Sequence, residues 1–401
     1  MHKRKSLFGL SCLAAAMLAL PLTASGAETV KIGVILAYSG QAAASAEQMD
    51  KGIRLYVKQH EKELGDIKLE LIRRDSTGPN PETARRLAQE LITRDKVNLL
   101  TGFYFTPNIN AVAPLVSEAK IPVVIMNAAT SATIRMSPYL VRTSMTLWQQ
   151  SYPLGQWAAK QPGIKKAYTA VTDFAPGHDA EAAFAKGFTE NGGQILGQIR
   201  MPIKNPDFIP FLQRIKDEKP DALFIFVPGS KDATAVMKAY TELGLQQAGV
   251  HLYAAGDCVP DDELPNMGEV PPGVVTMSFY SAAATRPANV AFVDAWKKEY
   301  GPDATPSPFA VNAYDGMAAV FHVIKEQKGI IDTDKTMALL KGWKNDASPR
   351  GPFLIDPDTR EIVQNMYLRR LEKLNGKLAN VEFETIPMIK DPWQRLNPPT
   401  Q

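Results

Sequence analysis

The side chains in this sequence that could hold or transform another molecule gather in short loops that follow apolar runs. Tyr38-Ser39-Gly40-Gln41 follows the first run, with Ser45 just beyond; Gly102-Phe103-Tyr104-Phe105-Thr106-Pro107-Asn108 and Asn127-Ala128-Ala129-Thr130-Ser131 follow two others. Small residues expose backbone N–H groups, hydroxyls add donors, and a helix start adds the positive end of a dipole, so such loops suit an anion. A small carboxylate fits there without an arginine. Thr106 and Thr130 equally suit plain helix N-caps, and spacing alone leaves both readings standing.

Later loops differ in kind. Asp173-Phe174-Ala175-Pro176-Gly177-His178, Pro228-Gly229-Ser230 and Gly256-Asp257-Cys258 supply aromatic surface and one acid, Asp257, directly after an apolar strand. Across a cleft from an anion pocket, Asp257 could accept charge-assisted bonds from a ligand's ammonium group. Its plainer reading is a solvated loop acid or a cap. Tyr38, Tyr104, Phe105, Trp148 and Phe174 lie near these loops and are compatible with stacking a ring, although such residues also fill ordinary cores.

Catalytic chemistry finds less to work with. His60, His178, His251 and His322 lack the short spacing of common zinc sites, and neither G-x-S-x-G, G-x-x-x-x-G-K-[ST] nor G-x-G-x-x-G occurs. Ser117-Glu118-Ala119-Lys120 matches S-x-x-K without its S-D-N or K-T-G companions. Asp75-Ser76-Thr77-Gly78 is better explained as a turn leading to the cap Asn80 and Pro81. Cys258, the one cysteine outside the leader, reads as a small apolar residue. The sequence is that of a binder rather than an enzyme, and it implies no metal and no cofactor.

The elements that must carry these loops alternate. Strand-like Val30–Ala37, Ile67–Arg73, Val97–Thr101 and Ile121–Met126 are separated by helical patterns at Glu47–Glu63, Pro81–Arg94 and Asn108–Ala119. The order starts again after Trp148, with strands at Ala167–Val171, Gln198–Met201, Ala222–Val227 and His251–Ala254. Two consecutive α/β blocks with long connections imply two lobes, each a mostly parallel sheet flanked by helices. Beyond Val274 come helices and then a β-rich end, and Asp391–Gln401 reads as loosely packed coil.

At the start, Lys3, Arg4 and Lys5, an apolar run from Leu7 to Leu20, and Ser25-Gly26-Ala27 read as a secretory leader spanning residues 1–27. That run is too short to span a bilayer comfortably. Of 401 residues, 45 are basic and 42 acidic; without Lys3, Arg4 and Lys5 the two balance, which argues against nucleic acid as a partner.

Taken in order, VKIGVILAYSGQAAASAEQMDKGIRL, IPVVIMNAATSATIR, YLVRTSMTLWQQ, DFAPGHD, AYDGMAAVFHVI and SPRGPFLIDPDTREIVQNMYL resemble the periplasmic solute-binding proteins of ABC importers, specifically the leucine/isoleucine/valine-binding family with its type I two-lobe fold. The resemblance implies three crossings between lobes, near Leu147, Ser278 and Arg350. The first lobe would then hold residues 28–147 and 279–350, the second 148–278 and 351–390, with 391–401 as a tail. It implies that main-chain and hydroxyl donors at Thr106, Ala128 and Thr130 hold a ligand carboxylate, with Ser39 and Ser45 beside them and Ala129 between. It implies Asp257 as the ammonium partner, and Phe174 with Pro176 where a tyrosine is common. An apolar amino acid or an aromatic acid is the expected ligand, a membrane permease the expected partner, the periplasm the expected compartment, and a monomer the expected state. A sensory module of the same fold acting through a receptor is the alternative, and an exported hydrolase a further one.

Overall fold

The computed structural model describes residues 28–398, so the leader expected over residues 1–27 lies outside the described residues. The first sheet contains β1 (Thr29–Leu36), β2 (Lys68–Asp75), β3 (Leu99–Gly102), β4 (Val123–Ile125) and β5 (Leu140–Arg142), all parallel in the order β2-β1-β3-β4-β5. Parallel pairing demands crossovers, and α1 (Ala43–His60), α2 (Pro81–Thr93) and α3 (Thr106–Ala119) supply the first three. Central strands covered on both faces need continuous apolar runs, and β3 and β4 are buried throughout. Helix α2 starts as its sequence requires: the Asn80 side chain accepts the Thr83 N–H at 3.2 Å ahead of Pro81.

The second sheet begins after α4 (Leu147–Ala158). Strands β6 (Lys166–Thr172), β7 (Gln194–Met201), β8 (Ala222–Phe226), β9 (His251–Ala255) and β10 (Val275–Ser278) run parallel, joined in part by α5 (Ala175–Glu190), α6 (Ile209–Glu218) and α7 (Ser230–Glu242). The chain then returns through α8 (Pro287–Tyr300), α9 (Pro308–Glu326) and α10 (Thr333–Leu340). Helix α9 packs Ala313, Met317, Val320 and Ile324 into the same core as Met49 and Ile53 of α1. An antiparallel extension follows, from β11 (Lys344–Asn345) and β12 (Phe353–Ile355) to β13 (Ile362–Leu374) and β14 (Lys377–Ile389).

Buried polar groups hold the passages between the halves. At the first, Thr146 and Gln149 form a reciprocal capping box at the start of α4, and Gln149 Nε2 also donates to the carbonyls of Ile362 and Ile389 at 2.9 and 3.0 Å. Gln364 Nε2 donates to Gln149 Oε1 at 3.3 Å. Arg350 is fully buried; it donates to Asp315 at 2.7 Å, Gln364 at 2.8 Å and Asn312 at 3.0 Å, and stacks 4.3 Å above the Phe279 ring. Removing one member of such a pair strands the other charge, at a cost of about 3–5 kcal/mol.

Phe353, Ile355 and Ile362 pack in the first core, whereas Met366 and Leu368 pack in the second, although β12 pairs with β13 in the second sheet. We propose the three crossings near Leu147, Ser278 and Arg350, as the sequence leads one to expect. One expectation needs correction: the tail is not coil throughout. Pro392–Leu396 forms a short helix, α11, capped by buried Asp391, which accepts the Trp393 N–H at 2.9 Å.

Candidate functional site

The loops that follow β3 and β4 meet those that follow β6, β8 and β9, as expected at the carboxyl edges of parallel sheets. Between them lies a narrow cavity of about 20 Å³, lined by Tyr104, Phe105, Asn127, Ala129, Met145 and Leu147 on one side and Phe174, Pro176, Phe226, Pro228 and Asp257 on the other. The halves are shut over it. The Tyr104 hydroxyl donates to the Pro228 carbonyl, Gln41 Nε2 donates to the Ile203 carbonyl at 2.9 Å, and the Ser131 N–H donates to Asp179 Oδ2 at 3.0 Å. Gly229 permits this approach. Its φ is +81°, and a Cβ there would lie 2.8 Å from the Phe309 ring and 3.2 Å from the Tyr104 hydroxyl.

Thr106 and Thr130 are buried behind the first wall and are not among its lining residues. Phe105 is the N-cap residue of α3 and provides no side-chain cap; Pro107 carries no N–H and the Asn108 N–H donates to the Phe105 carbonyl at 3.2 Å, which leaves the Thr106 N–H as the donor of this turn. Thr106 is buried within the helix, and its Oγ1 accepts the Thr130 N–H only at a long 3.4 Å. The Thr130 hydroxyl is buried without a partner among the described residues and does not cap the turn it precedes. Neither threonine is therefore a plain N-cap. Asn127 donates through Nδ2 to the Tyr104 carbonyl at 2.9 Å, leaving its buried Oδ1 unpaired.

The second wall is aromatic and acidic. Phe174 stacks on Phe226 with centroids 6.1 Å apart and planes inclined by 20°. Asp257 is 6% exposed; Gln150 Nε2 donates to its Oδ2 at 3.4 Å while Gln150 Oε1 accepts the Gly256 N–H at 2.8 Å. Burial pushes the Asp257 carboxyl up to about 6, against the pull of the Gln150 bond and the Arg369 charge. Asp257 is thus neither a solvated loop acid nor a helix cap.

Other candidates fall away from the cavity. The Ala128 N–H donates to the Phe103 carbonyl at 2.9 Å, so that amide is already committed within the loop. The Tyr38 hydroxyl donates to Asp50 Oδ1 at 2.9 Å, and the exposed Ser39 donates its N–H to Asp75 at 3.3 Å. Ser45 is buried beside the Tyr104 hydroxyl. Trp148 packs near Tyr152, with ring centroids 6.2 Å apart, and is not among the lining residues.

The rejected motifs find structural uses. Burial raises the Asp75 carboxyl, yet bonds from Ser39 and the Thr77 amide hold it below the usual carboxylate range, which suits a turn. Ser117 bonds back to the Ala113 carbonyl of its own helix, and Cys258 is buried in the second half's core. Sequence reasoning missed Met145, Leu147, Phe226 and Pro228 as lining groups, and did not advance Asn127 or Gln150. The ends of β4 and β8 were the available signal, since residues closing a parallel strand face the ligand edge.

Comparison with known proteins agrees with this architecture. The sequence pattern of the family described as "Periplasmic binding protein" matches residues 29–377. The chain belongs to that family. It is 40% identical over 380 residues to "Leu/Ile/Val-binding protein homolog 6" of Brucella suis biovar 1 (strain 1330), covering 94% of this chain and 97% of that one. Among solved structures, a solute-binding protein of an ABC transporter from Rhodopseudomonas palustris BisB5, in complex with 3,4-dihydroxybenzoic acid, is 46% identical with a TM-score of 0.87. The match covers 91% of this binding protein and 99% of that chain. A counterpart from R. palustris HaA2, in complex with p-hydroxybenzoic acid, is 42% identical with the same TM-score and the same coverage. The two-lobe arrangement of this binding protein is therefore the type I fold.

Proposed function

We propose that this protein is the extracytoplasmic solute-binding component of an ABC importer and that its ligand is a small aromatic carboxylate. The observation that carries this reading is the cavity itself, with Tyr104, Phe105, Asn127 and Ala129 on one wall and the Phe174–Phe226 stack on the other. The carboxylate is held by the Thr130 hydroxyl and the Thr106 N–H at the start of α3, where a negative charge is favoured. The ring lies against the aromatic faces. Two relatives with hydroxylated benzoic acids bound support the choice of ligand class.

Capture proceeds by closure. Ligand binds the first lobe's donors, the lobes rotate about their crossings, and the second lobe adds contacts that exist only in the shut form. Tyr104 and Pro228 latch the two sides, and the shut form docks on a membrane permease. The expected site of action is the periplasm.

A screen by thermal shift tests the ligand class. At a hundred times its dissociation constant a ligand stabilises by about 2.7 kcal/mol, so benzoate or 4-hydroxybenzoate should raise the unfolding midpoint by several degrees while leucine, isoleucine and valine leave it in place. A response confined to the aliphatic amino acids would overturn the reading. The amino-acid alternative draws on the printed name of the Brucella relative and on the presence of Asp257.

A further inference from the structure

A carboxylate grip and an aromatic slot account for the head group and ring of an aromatic acid, and they leave Asp257 without a task. Asp257 lines the cavity with its carboxylate fixed from behind by Gln150, which also holds the Gly256 N–H of the same turn. Arg369 is buried behind that turn too, with its Nη2 directed to the Gly256 carbonyl at 3.4 Å. A carboxylate held by one donor on Oδ2 keeps further lone pairs to offer. Its neighbours on that wall, Phe174 and Phe226, offer no donor.

Such a group is costly opposite an anionic ligand. An unsubstituted benzoate would leave Asp257 desolvated, with no partner from the ligand and facing a like charge. A ring hydroxyl reverses the sign, because its O–H donates to the carboxylate in a charge-assisted bond. An ammonium is the other donor of the right sign, but an amino acid carries it on the carbon next to its carboxylate. Asp257 stands on the wall opposite Phe105 and Ala129, the residues that flank the anion grip. A substituent across the ring from the carboxylate is what reaches that wall.

We propose that the Asp257–Gln150 pair is a hydroxyl-reading subsite, which selects aromatic acids carrying a hydroxyl across the ring from the carboxylate. This selection rests on the aromatic-acid reading of the cavity and adds the substituent the ligand must bear. A buried group built to bond a ligand hydroxyl discriminates strongly against the analogue lacking it.

Calorimetric titration of the whole exported chain with 4-hydroxybenzoate, benzoate, 4-fluorobenzoate and leucine tests it. The wild type should bind 4-hydroxybenzoate at least about a hundredfold more tightly than benzoate or 4-fluorobenzoate. In Asp257→Asn, affinity for 4-hydroxybenzoate should fall about tenfold or more while affinity for benzoate rises, since the buried negative charge is gone. Gln150→Met, which frees the carboxylate to turn, should narrow the same ratio and serves if the first variant does not fold. Equal wild-type affinities for 4-hydroxybenzoate and 4-fluorobenzoate, or a ratio unchanged in both variants, would overturn the subsite while leaving the aromatic-acid reading intact. Tight binding of leucine with no response to any benzoate would overturn that reading instead.

Discussion

The two walls of the cleft solve different problems with different parts of the chain. On the proposed reading the first grips through the Thr106 N–H and the Thr130 hydroxyl, while the second works through side chains, Phe174, Phe226 and Asp257. Main-chain donors are nearly indifferent to substitution, whereas side chains change with every mutation. One wall can therefore keep the carboxylate requirement while the other resets which molecular body is accepted. That division explains how relatives under a Leu/Ile/Val-binding name and relatives holding hydroxybenzoates share one scaffold.

The sharpest way to break the comparison is to stop the walls from meeting. Gly229→Val places a branched side chain where a single Cβ already collides with Phe309, in a left-handed backbone, and should weaken binding about a hundredfold or more. Calorimetry measures the loss, and small-angle scattering should show that ligand no longer shrinks the particle. Next comes the grip alone. Thr130→Val removes a buried hydroxyl that has no partner among the described residues, so affinity should fall about ten- to a hundredfold with thermal stability unchanged or raised. A loss of stability without a loss of affinity would return Thr130 to a structural role.

The latch is worth less. Tyr104→Phe removes the bond to the Pro228 carbonyl and should cost about fivefold in affinity, read from the dissociation rate by stopped-flow fluorescence. The smallest effect is expected from Tyr38→Phe. Its hydroxyl bonds Asp50 within the first lobe, so affinity should change by no more than about twofold while stability drops by about 1 kcal/mol. A tenfold loss of affinity would bring the first loop back into the site.

Much of the frame was legible because parallel sheets announce themselves. ALFIFV and IPVVIM are apolar without alternation, and the patterns between them are long enough to cross over. Of the site, Tyr104, Phe105, Ala129, Phe174, Pro176 and Asp257 were legible as loop residues at strand ends, and the structure brings them to one cavity. Ala128 was misread because its environment, not its type, decides whether its N–H is free; the turn made by Phe103 claims it. Gln150 was invisible for a related reason. It sits in the first turn of α4 and becomes relevant only when the fold lays that helix beside Gly256.

The short helix at the chain's end has a mechanical corollary. It follows β14 of the second sheet, yet Arg135, on the turn after the anion loop, donates to Gln394 and to the Asn397 carbonyl at 2.6 Å and stacks 4.4 Å above the Trp393 ring. The C-terminal residues are thus a strap laid from the second sheet onto the first, and any parting of the two must carry these contacts along or break them. A label, tag or surface tether is accordingly best attached well away from Asn397, so that the gape under study is the protein's own.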